Sequence, residues 1–365
     1  MDFNLTEERQ MLQDTLRRFL ADAANKDSNT LWTELAELGV IGALFTEDYG
    51  GFGGAGFDLS VVFEEIGRAG VATPLLETGI LAGGLIAALG NDDQTALLES
   101  IVDGTQQLAF AHGEPLTRYD LNHVATTATQ TGDGYILNGH KCVVMNGGRA
   151  DTLIISARTA GDVASNDGIS LFLVDASSVE RRSYQTMSGA DAAEVYLNNV
   201  TVAKTALLGA EGASFYEIET QVARATAALC AEAVGAMESA KDLTIEYMQT
   251  RQQFGRPIGK FQALQHRMAD LLIEVEQARS ATINVCGHLD ADRPLRERHV
   301  SAAKNLIGRV GRQVAEETIQ LHGGIGMTQE YNLAGFTKRM MMIDHQWGDT
   351  DYHLERFIAL SRAVG

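Results

Sequence analysis

The chain has 365 residues, 45% of them hydrophobic and 21% charged, with a formal net charge of −19. Such a length exceeds what one core usually serves, so two or three domains or subdomains are expected. The acidic balance argues against nucleic acid as a partner, since that needs a basic footprint, and a polyanionic ligand would need Arg and Lys gathered locally.

The segment Met1-Asp2-Phe3-Asn4-Leu5-Thr6-Glu7-Glu8 has no basic region and no apolar signal core. Thr6 is placed to cap a first helix, with Met11, Leu12, Leu16, Phe19 and Leu20 at apolar positions behind it. Residues 31–38 read as another helix. The run Asp48-Tyr49-Gly50-Gly51-Phe52-Gly53-Gly54-Ala55-Gly56 contains a literal G-x-G-x-x-G. A dinucleotide site would need a strand before it, a helix after it and a second strand ending in an acid. Residues 40–45 pass as that first strand, but residues 58–68 lead into more helix, so a glycine loop between helices is expected. The most apolar stretch, residues 78–90, is too short and glycine-rich to span a bilayer.

From about Gln106 to Lys204 the pattern alternates. Residues 135–137 and 142–144 flank Asn138-Gly139, a hairpin signal because both residues tolerate positive φ. Residues 153–156, 169–174 and 195–197 supply further strands. Beyond Leu207 helical spacing returns over 214–249, 261–290, 294–321 and from Asp351 onward. The expected fold is α+β and multidomain: an N-terminal helical domain (1–105), a central antiparallel β domain (106–207) and a C-terminal four-helix bundle (208–365). A di-iron bundle would need Glu three residues before an inward His, and none of the nine histidines has it, so no metal is expected. Cys142, Cys230 and Cys286 are few and widely spaced, which reads as reduced thiols in a cytoplasmic protein rather than a disulfide framework.

Gly255 and Pro257 stop the first bundle helix in Thr250-Arg251-Gln252-Gln253-Phe254-Gly255-Arg256-Pro257-Ile258-Gly259-Lys260-Phe261-Gln262. Arg251, Phe254 and Gln262 then share one end of a helical hairpin. They offer a guanidinium fork for phosphate, a ring for a flat ligand and an amide for base edges. On spacing alone, the segment reads first as a capped turn with a salt-bridged surface arginine.

This Arg-x-x-Phe-Gly turn followed by a glutamine resembles the acyl-CoA dehydrogenase family. So do Gln320-Leu321-His322-Gly323-Gly324-Ile325-Gly326-Met327-Thr328-Gln329-Glu330-Tyr331 and Leu137-Asn138-Gly139-His140-Lys141. Thr186-Met187-Ser188-Gly189 leading into Glu194-Val195-Tyr196-Leu197 also fits, and the likeness covers nearly the whole chain. The resemblance implies FAD bound between subunits, an acyl-CoA substrate, and an electron-transfer flavoprotein or similar acceptor. It assigns Arg251 to the diphosphate, Phe254 beside it, and Gln262 and Gln320 to the adenosine end. Gly323 and Gly324 suit close approach of backbone to phosphate, or a helix C-cap.

Two departures qualify the likeness. Where the family commonly has Thr-Glu-Pro-Gly-x-Gly-Ser-Asp, the chain has Gly113-Glu114-Pro115-Leu116-Thr117-Arg118-Tyr119-Asp120, and the family's flavin-packing Trp-Ile-Thr is Val143-Val144-Met145. The usual catalytic glutamate falls on Trp347, and an alternative family position falls near Ala225. Asp349, two residues beyond Trp347, is the nearest carboxylate to act as base, and it also suits a helix N-cap. Glu232 is a weaker candidate. These losses resemble a subgroup in which two unlike dehydrogenase chains complete each other's sites on bulky or dicarboxylic thioesters such as pimeloyl-CoA. The expectation is therefore one subunit of a homo- or hetero-oligomeric dehydrogenase, with a non-catalytic partner chain as the alternative.

Overall fold

A computed structural model describes residues 5–23, 26–328 and 330–364; Met1 to Asn4 and Gln329 of the motifs above lie outside the described residues. In chain order the first helices are α1 (Glu7–Leu20), α2 (Ser28–Glu37), α3 (Gly56–Ala69), α4 (Gly84–Leu89), α5 (Asp92–Thr95) and α6 (Leu97–Val102). The strands β1 (Leu108–Ala111), β2 (Thr127–Gln130), β3 (Gly134–Met145), β4 (Thr152–Arg158), β5 (Ile169–Asp175), β6 (Glu180–Gln185), β7 (Asp191–Ala203) and β8 (Leu207–Leu208) follow. Then come α7 (Phe215–Thr250), the short strands β9 (Gln252–Gln253) and β10 (Arg256–Pro257), α8 (Gln262–Cys286), α9 (Arg293–His322), α10 (Leu333–His345) and α11 (Thr350–Val364). The chain divides into two compact units, one of Met1–Lys26, Ala55–Val71 and Thr226–Gly365, the other of Asp27–Gly54 and Ala72–Ala225.

In the first unit, helices meet backbone to backbone. A Cβ on Gly67 of α3 would lie 1.9 Å from the Glu232 carbonyl oxygen, and one on Gly235 of α7 would lie 2.0 Å from that of Glu64. The two glycines thus notch α3 and α7 into each other, a contact no side chain would permit. Gly56 does the same against Cys286 of α8. Around this seam Arg17 forks onto the buried Glu65 at 2.6 and 3.1 Å, and Arg279 joins Glu64 at 2.8 Å to Glu238 at 3.0 Å. Four long helices were expected in the bundle; α10 is the addition. It buries Leu333, Met340 and Ile343 on one face, but its Met-rich run gives no strong period.

The second unit carries the sheet, in the order β6-β7-β3-β2-β4-β5-β8, with β1 beside β4. Its pairings are antiparallel except β1 with β4 and a single β2–β4 pair, so the sheet is mixed where an antiparallel one was expected. Residues 40–44 form a 3-10 helix rather than a strand. The glycines after it bring backbone onto that helix: a Cβ on Gly51 would lie 2.2 Å from the Phe45 oxygen, and one on Gly53 2.4 Å from that of Ala43. The glycine run is therefore a packing loop, as expected, and not a phosphate loop.

Asn138-Gly139 is not a hairpin turn. β3 runs straight through it with a register shift against β7 between Leu137 and Gly139. Gly139 is required because a Cβ there would sit 2.3 Å from Thr126 Oγ1, and the Asn138 side chain accepts from Asn199 N at 2.8 Å. The pair marks a bulge, the other use of glycine in a strand.

Inside the sheet core lies a buried polar knot. Lys141 Nζ donates to Glu114 Oε1 at 2.7 Å, to Ser156 Oγ at 3.0 Å and to the His112 carbonyl at 3.1 Å. Both Glu114 oxygens also accept backbone amides, from Ala125 at 2.8 Å and Thr126 at 2.9 Å. Burial pushes the Glu114 carboxyl up, but the Lys141 charge and these hydrogen bonds outweigh it and hold the group at about 2. Burial likewise brings Lys141 down to about 8, against the pull of Glu114, and lowers His112 to about 3, leaving the ring neutral at pH 7.

Glu114→Gln strands a buried ammonium, so it should cost about 3 kcal/mol or more at pH 7, measured by denaturant unfolding. Because the folded-state pKa is depressed, the Glu114 contribution is fully present above its ordinary value of 4.5 and is lost as pH falls towards about 2. The gap between parent and variant should close over that window. A gap independent of pH there would refute the assignment.

Candidate active site

The first unit brings the six expected ligand-binding residues to one end of its bundle. Helix α7 ends at Thr250, and the chain returns through a tight hairpin in which Gln253 pairs with Arg256 and Gln252 with Pro257. Phe254 and Gly255 make its two-residue turn with φ of 53° and 77°, the left-handed pair that a I′ hairpin needs. Ile258 N closes the loop onto the Arg251 carbonyl at 2.9 Å. Gln262 then opens α8 in an exposed position.

The end of α9 is joined to this hairpin by stacked rings. His322 lies 4.5 Å from Tyr247, centroid to centroid and 26° from parallel, one turn before Arg251. Arg267 of α8 reaches Glu317 of α9 at 2.7 Å. Together these contacts set Gln320, Gly323 and Gly324 at the same end as Arg251, Phe254 and Gln262. Sequence reading missed His322 and Tyr247, although His322 sits inside the glycine motif and Tyr247 is four residues before Arg251.

All six residues face outward. Arg251, Gln262, Gln320, Gly323 and Gly324 are exposed, Phe254 is 92% exposed, and among the described residues the Arg251 guanidinium has no ion-pair partner. Arg256 and Lys260 are exposed beside them, so three cations gather within ten residues of this acidic chain, Arg256 lying 4.3 Å over the Phe261 ring. Gly323 caps α9 at φ 64° and ψ −140°, a conformation open mainly to glycine, with its amide on Gln320 O and Ile319 O. A Cβ on Gly323 or Gly324 would meet nothing within 4 Å, so the capping reading holds and the backbone there is also open to a ligand. An anionic, flat cofactor fits this donor set.

Asp349 is placed apart from that end, at the start of α11. Its Oδ1 accepts Tyr352 N at 2.9 Å, a helix cap, and the residue is 8% exposed. Trp347, two residues earlier, has φ 56°. Glu232 is occupied by Arg339, whose Nη2 reaches Oε2 at 2.7 Å, and Ala225 is fully buried.

In the second unit, Glu114 is consumed by the Lys141 knot and does not face outward. Val143 is 54% exposed at φ 50°, a strained setting for a β-branched side chain. Its amide lies 3.3 Å from Glu194 Oε1, which also accepts the Tyr184 hydroxyl at 3.0 Å, while Glu194 Oε2 meets His140 Nε2 at 2.7 Å. The two units thus differ: one carries an exposed arm of unspent donors, the other a strip whose backbone amide already has an acceptor.

Known proteins decide the family. The chain matches the acyl-CoA dehydrogenase N-terminal domain over residues 6–105, the middle domain over 109–200 and the C-terminal domain over 214–359. It is 31% identical to the short-chain specific acyl-CoA dehydrogenase of Megasphaera elsdenii, over 92% of each chain. The chain belongs to the acyl-CoA dehydrogenase family. Among solved structures, a Tcur3481-Tcur3483 steroid ACAD variant is 32% identical with TM-score 0.87, covering 98% of each chain. An FAD complex of PigA is 26% identical with TM-score 0.92, covering 100% of each. The enzymes of this family are FAD-dependent oxidoreductases acting on CH–CH bonds. None of the described helices is long and apolar enough to cross a membrane.

The strained turn gives a prediction with opposite signs for fold and ligand. Holding Phe254 in the left-handed region costs about 1 to 2 kcal/mol, which glycine avoids. Phe254→Gly should therefore leave thermal stability unchanged or raised, despite deleting an aromatic, while weakening cofactor binding in whatever assembly binds it. A fall in Tm of several degrees would show that the ring serves the fold instead.

Proposed function

We propose that this chain is one subunit of an FAD-dependent acyl-CoA dehydrogenase that introduces an α,β double bond into a bulky or dicarboxylic acyl-CoA thioester. A second dehydrogenase chain completes the site, in the cytoplasm, with electrons leaving to an electron-transfer flavoprotein or similar acceptor. One observation supports this reading: Arg251, Phe254, Gln262, Gln320, Gly323 and Gly324 are exposed together at one bundle end, whereas Val143-Val144-Met145 and Glu114 offer no outward side-chain donor. A homomer would join a good arm to a poor pocket at every site. A heteromer lets this arm serve a better pocket on its partner.

The chemistry that bound FAD would supply is acceptance of the β-hydrogen as hydride. The protein's part is binding and proton removal. Arg251 would hold the diphosphate with Phe254 beside it, Gln262 and Gln320 would serve the adenosine end, and the bare backbone at Gly323 and Gly324 would let phosphate approach. Asp349 is the carboxylate nearest the family's base position and would take the α-proton.

A second reading, a non-catalytic partner that lends only the arm, is favoured by one feature. Asp349 Oδ1 is committed to capping α11, and Trp347 stands where the base is usual.

Paired charge-assisted hydrogen bonds to a diphosphate are worth about 2 to 3 kcal/mol, so Arg251→Ala should weaken FAD binding by roughly thirty- to a hundred-and-fifty-fold in the assembly that binds it. Unchanged affinity on titration would make Arg251 a surface residue only.

Expressed alone, the chain should hold less than one FAD per protomer by its absorbance ratio. It should reduce an artificial acceptor slowly or not at all with short, medium or dicarboxylic acyl-CoAs. Full occupancy with rapid turnover that Asp349→Asn abolishes would overturn the heteromer reading and establish Asp349 as the base.

A further inference from the structure

The turn between α10 and α11 is held by one polar stripe of α9. Ser301, Lys304, Asn305 and Gly308 recur at helical spacing and face it. Lys304 Nζ donates to the carbonyls of Asp344 at 2.9 Å and Gly348 at 2.6 Å, and Asn305 Nδ2 donates to that of Thr350 at 2.9 Å. A Cβ on Gly308 would lie 2.1 Å from Asp344 Oδ1 and 2.3 Å from Thr350 Oγ1, so the turn sits directly on the helix. The Asp344 carboxylate accepts Thr350 Oγ1 at 2.9 Å, and His353 Nε2 contacts the Trp347 carbonyl at 3.1 Å.

The clamped segment is strained. Trp347 has φ 56° and Gly348 φ 119°, and a Cβ on Gly348 would lie 2.4 Å from His353 Nε2. A buried carbonyl without a partner costs on the order of 1 to 3 kcal/mol, so the amine satisfies two groups that this backbone shape would otherwise strand. Lys304 itself is wholly buried, and hydrogen-bonding to carbonyls rather than a carboxylate makes it an unusual place for a charge.

We propose that Lys304 is the positioning residue of this turn: through the Asp344 and Gly348 carbonyls it holds the strained Trp347-Gly348 pair, and with it Asp349, in place. That the arrangement serves an acyl site rests on the reading above; the clamp itself does not.

The charged and titratable groups around the amine are Cys230 on α7, Asp344 on α10, and Asp349 and His353 at the head of α11, with Arg312 3.8 Å from Asp344 and Arg356 farther along α11. Burial raises Cys230 from 9.0 to about 12 and lowers His353 to about 3, so neither titrates near pH 8 to 10 in the folded chain; the unfolded Cys230 does, and its contribution is common to parent and Lys304 variants and cancels in their difference. Burial lowers Lys304 from 10.5 to about 8, against the pull of Cys230, Asp344 and Asp349. A lowered amine pKa means that the unfolded chain binds the extra proton, so the Lys304 contribution to stability grows as pH rises from about 8 towards 10.5.

The test uses the full chain labelled with fluorotryptophan, whose two tryptophans, Trp32 and Trp347, give two fluorine resonances assigned through Trp32→Phe. Lys304→Met keeps the bulk and removes the donors; Lys304→Gln keeps a shorter donor. The Trp347 resonance should move towards its unfolded position in the Met variant, stay nearer its native position in the Gln variant, and leave Trp32 unchanged in both. The parent should also gain stability relative to Lys304→Met as pH rises from about 8 to 10.5. A native Trp347 signal in the Met variant, or a stability gap flat across that window, overturns the proposal. If Lys304→Met does not fold, a Trp347 signal in Lys304→Gln identical to the parent's overturns it, and a shifted one supports it. If Trp347 responds while FAD content of the assembly is untouched, the clamp stands and only its place in a flavin site fails.

Discussion

The exposed arm depends on one stacked pair, the rings of Tyr247 and His322. His322 Nδ1 donates to the Thr318 carbonyl at 2.8 Å, which leaves Nε2 to accept the Tyr331 hydroxyl at 3.2 Å. Burial lowers the ring's pKa, so it is neutral at pH 7 and stacks as an aromatic rather than a cation. The consequence is geometric. Tyr247 fixes the last turn of α7 and His322 fixes the last turn of α9, so Arg251 and Gly323 are registered to each other although 72 residues separate them in the chain (323 − 251). Loosening that stack would disperse donors that individually bind nothing strongly.

Much of the fold was legible in the sequence because helices and strands have different periods, and the two changes of period near Gln106 and Leu207 are sharp. What was not legible came from residues that serve two purposes. Asn138-Gly139 carries the composition of a hairpin turn, yet glycine there answers the close approach of Thr126, a neighbour that only the folded sheet supplies. The G-x-G-x-x-G run is likewise written in residues that suit a phosphate, but Gly51, Gly53 and Gly56 meet the carbonyls of residues 45, 43 and 286. Glycine reports that something comes close; it does not report what.

The candidate site has the same strength and the same blind spot. Arg251, Phe254, Gln262, Gln320, Gly323 and Gly324 stand out in the sequence because their types carry their chemistry, and the fold leaves all six exposed. His322, Tyr247 and Lys304 were missed because a buried ring or a buried amine gains its role only from partners on other helices. Glu114 shows the reverse case. It lies in a recognisable motif, but the folded sheet binds it to Lys141 at 2.7 Å, and its motif position says nothing of that.

The buried charges separate fold from function more cleanly than exposure does. Glu114 with Lys141, Glu232 with Arg339, and Glu65 with Arg17 are each paired within their own unit, so each is satisfied before any ligand arrives. A buried pair of this kind is weak support for stability, although removing one partner strands the other's charge. Arg251 is the contrary case: exposed, without an ion-pair partner among the described residues, and carried on a turn whose Phe254 is strained and nearly fully exposed. The chain thus satisfies its buried acids internally, yet keeps a strained Phe254 backbone and an unpaired, exposed guanidinium together at one bundle end, and strain of that kind clusters at sites of function.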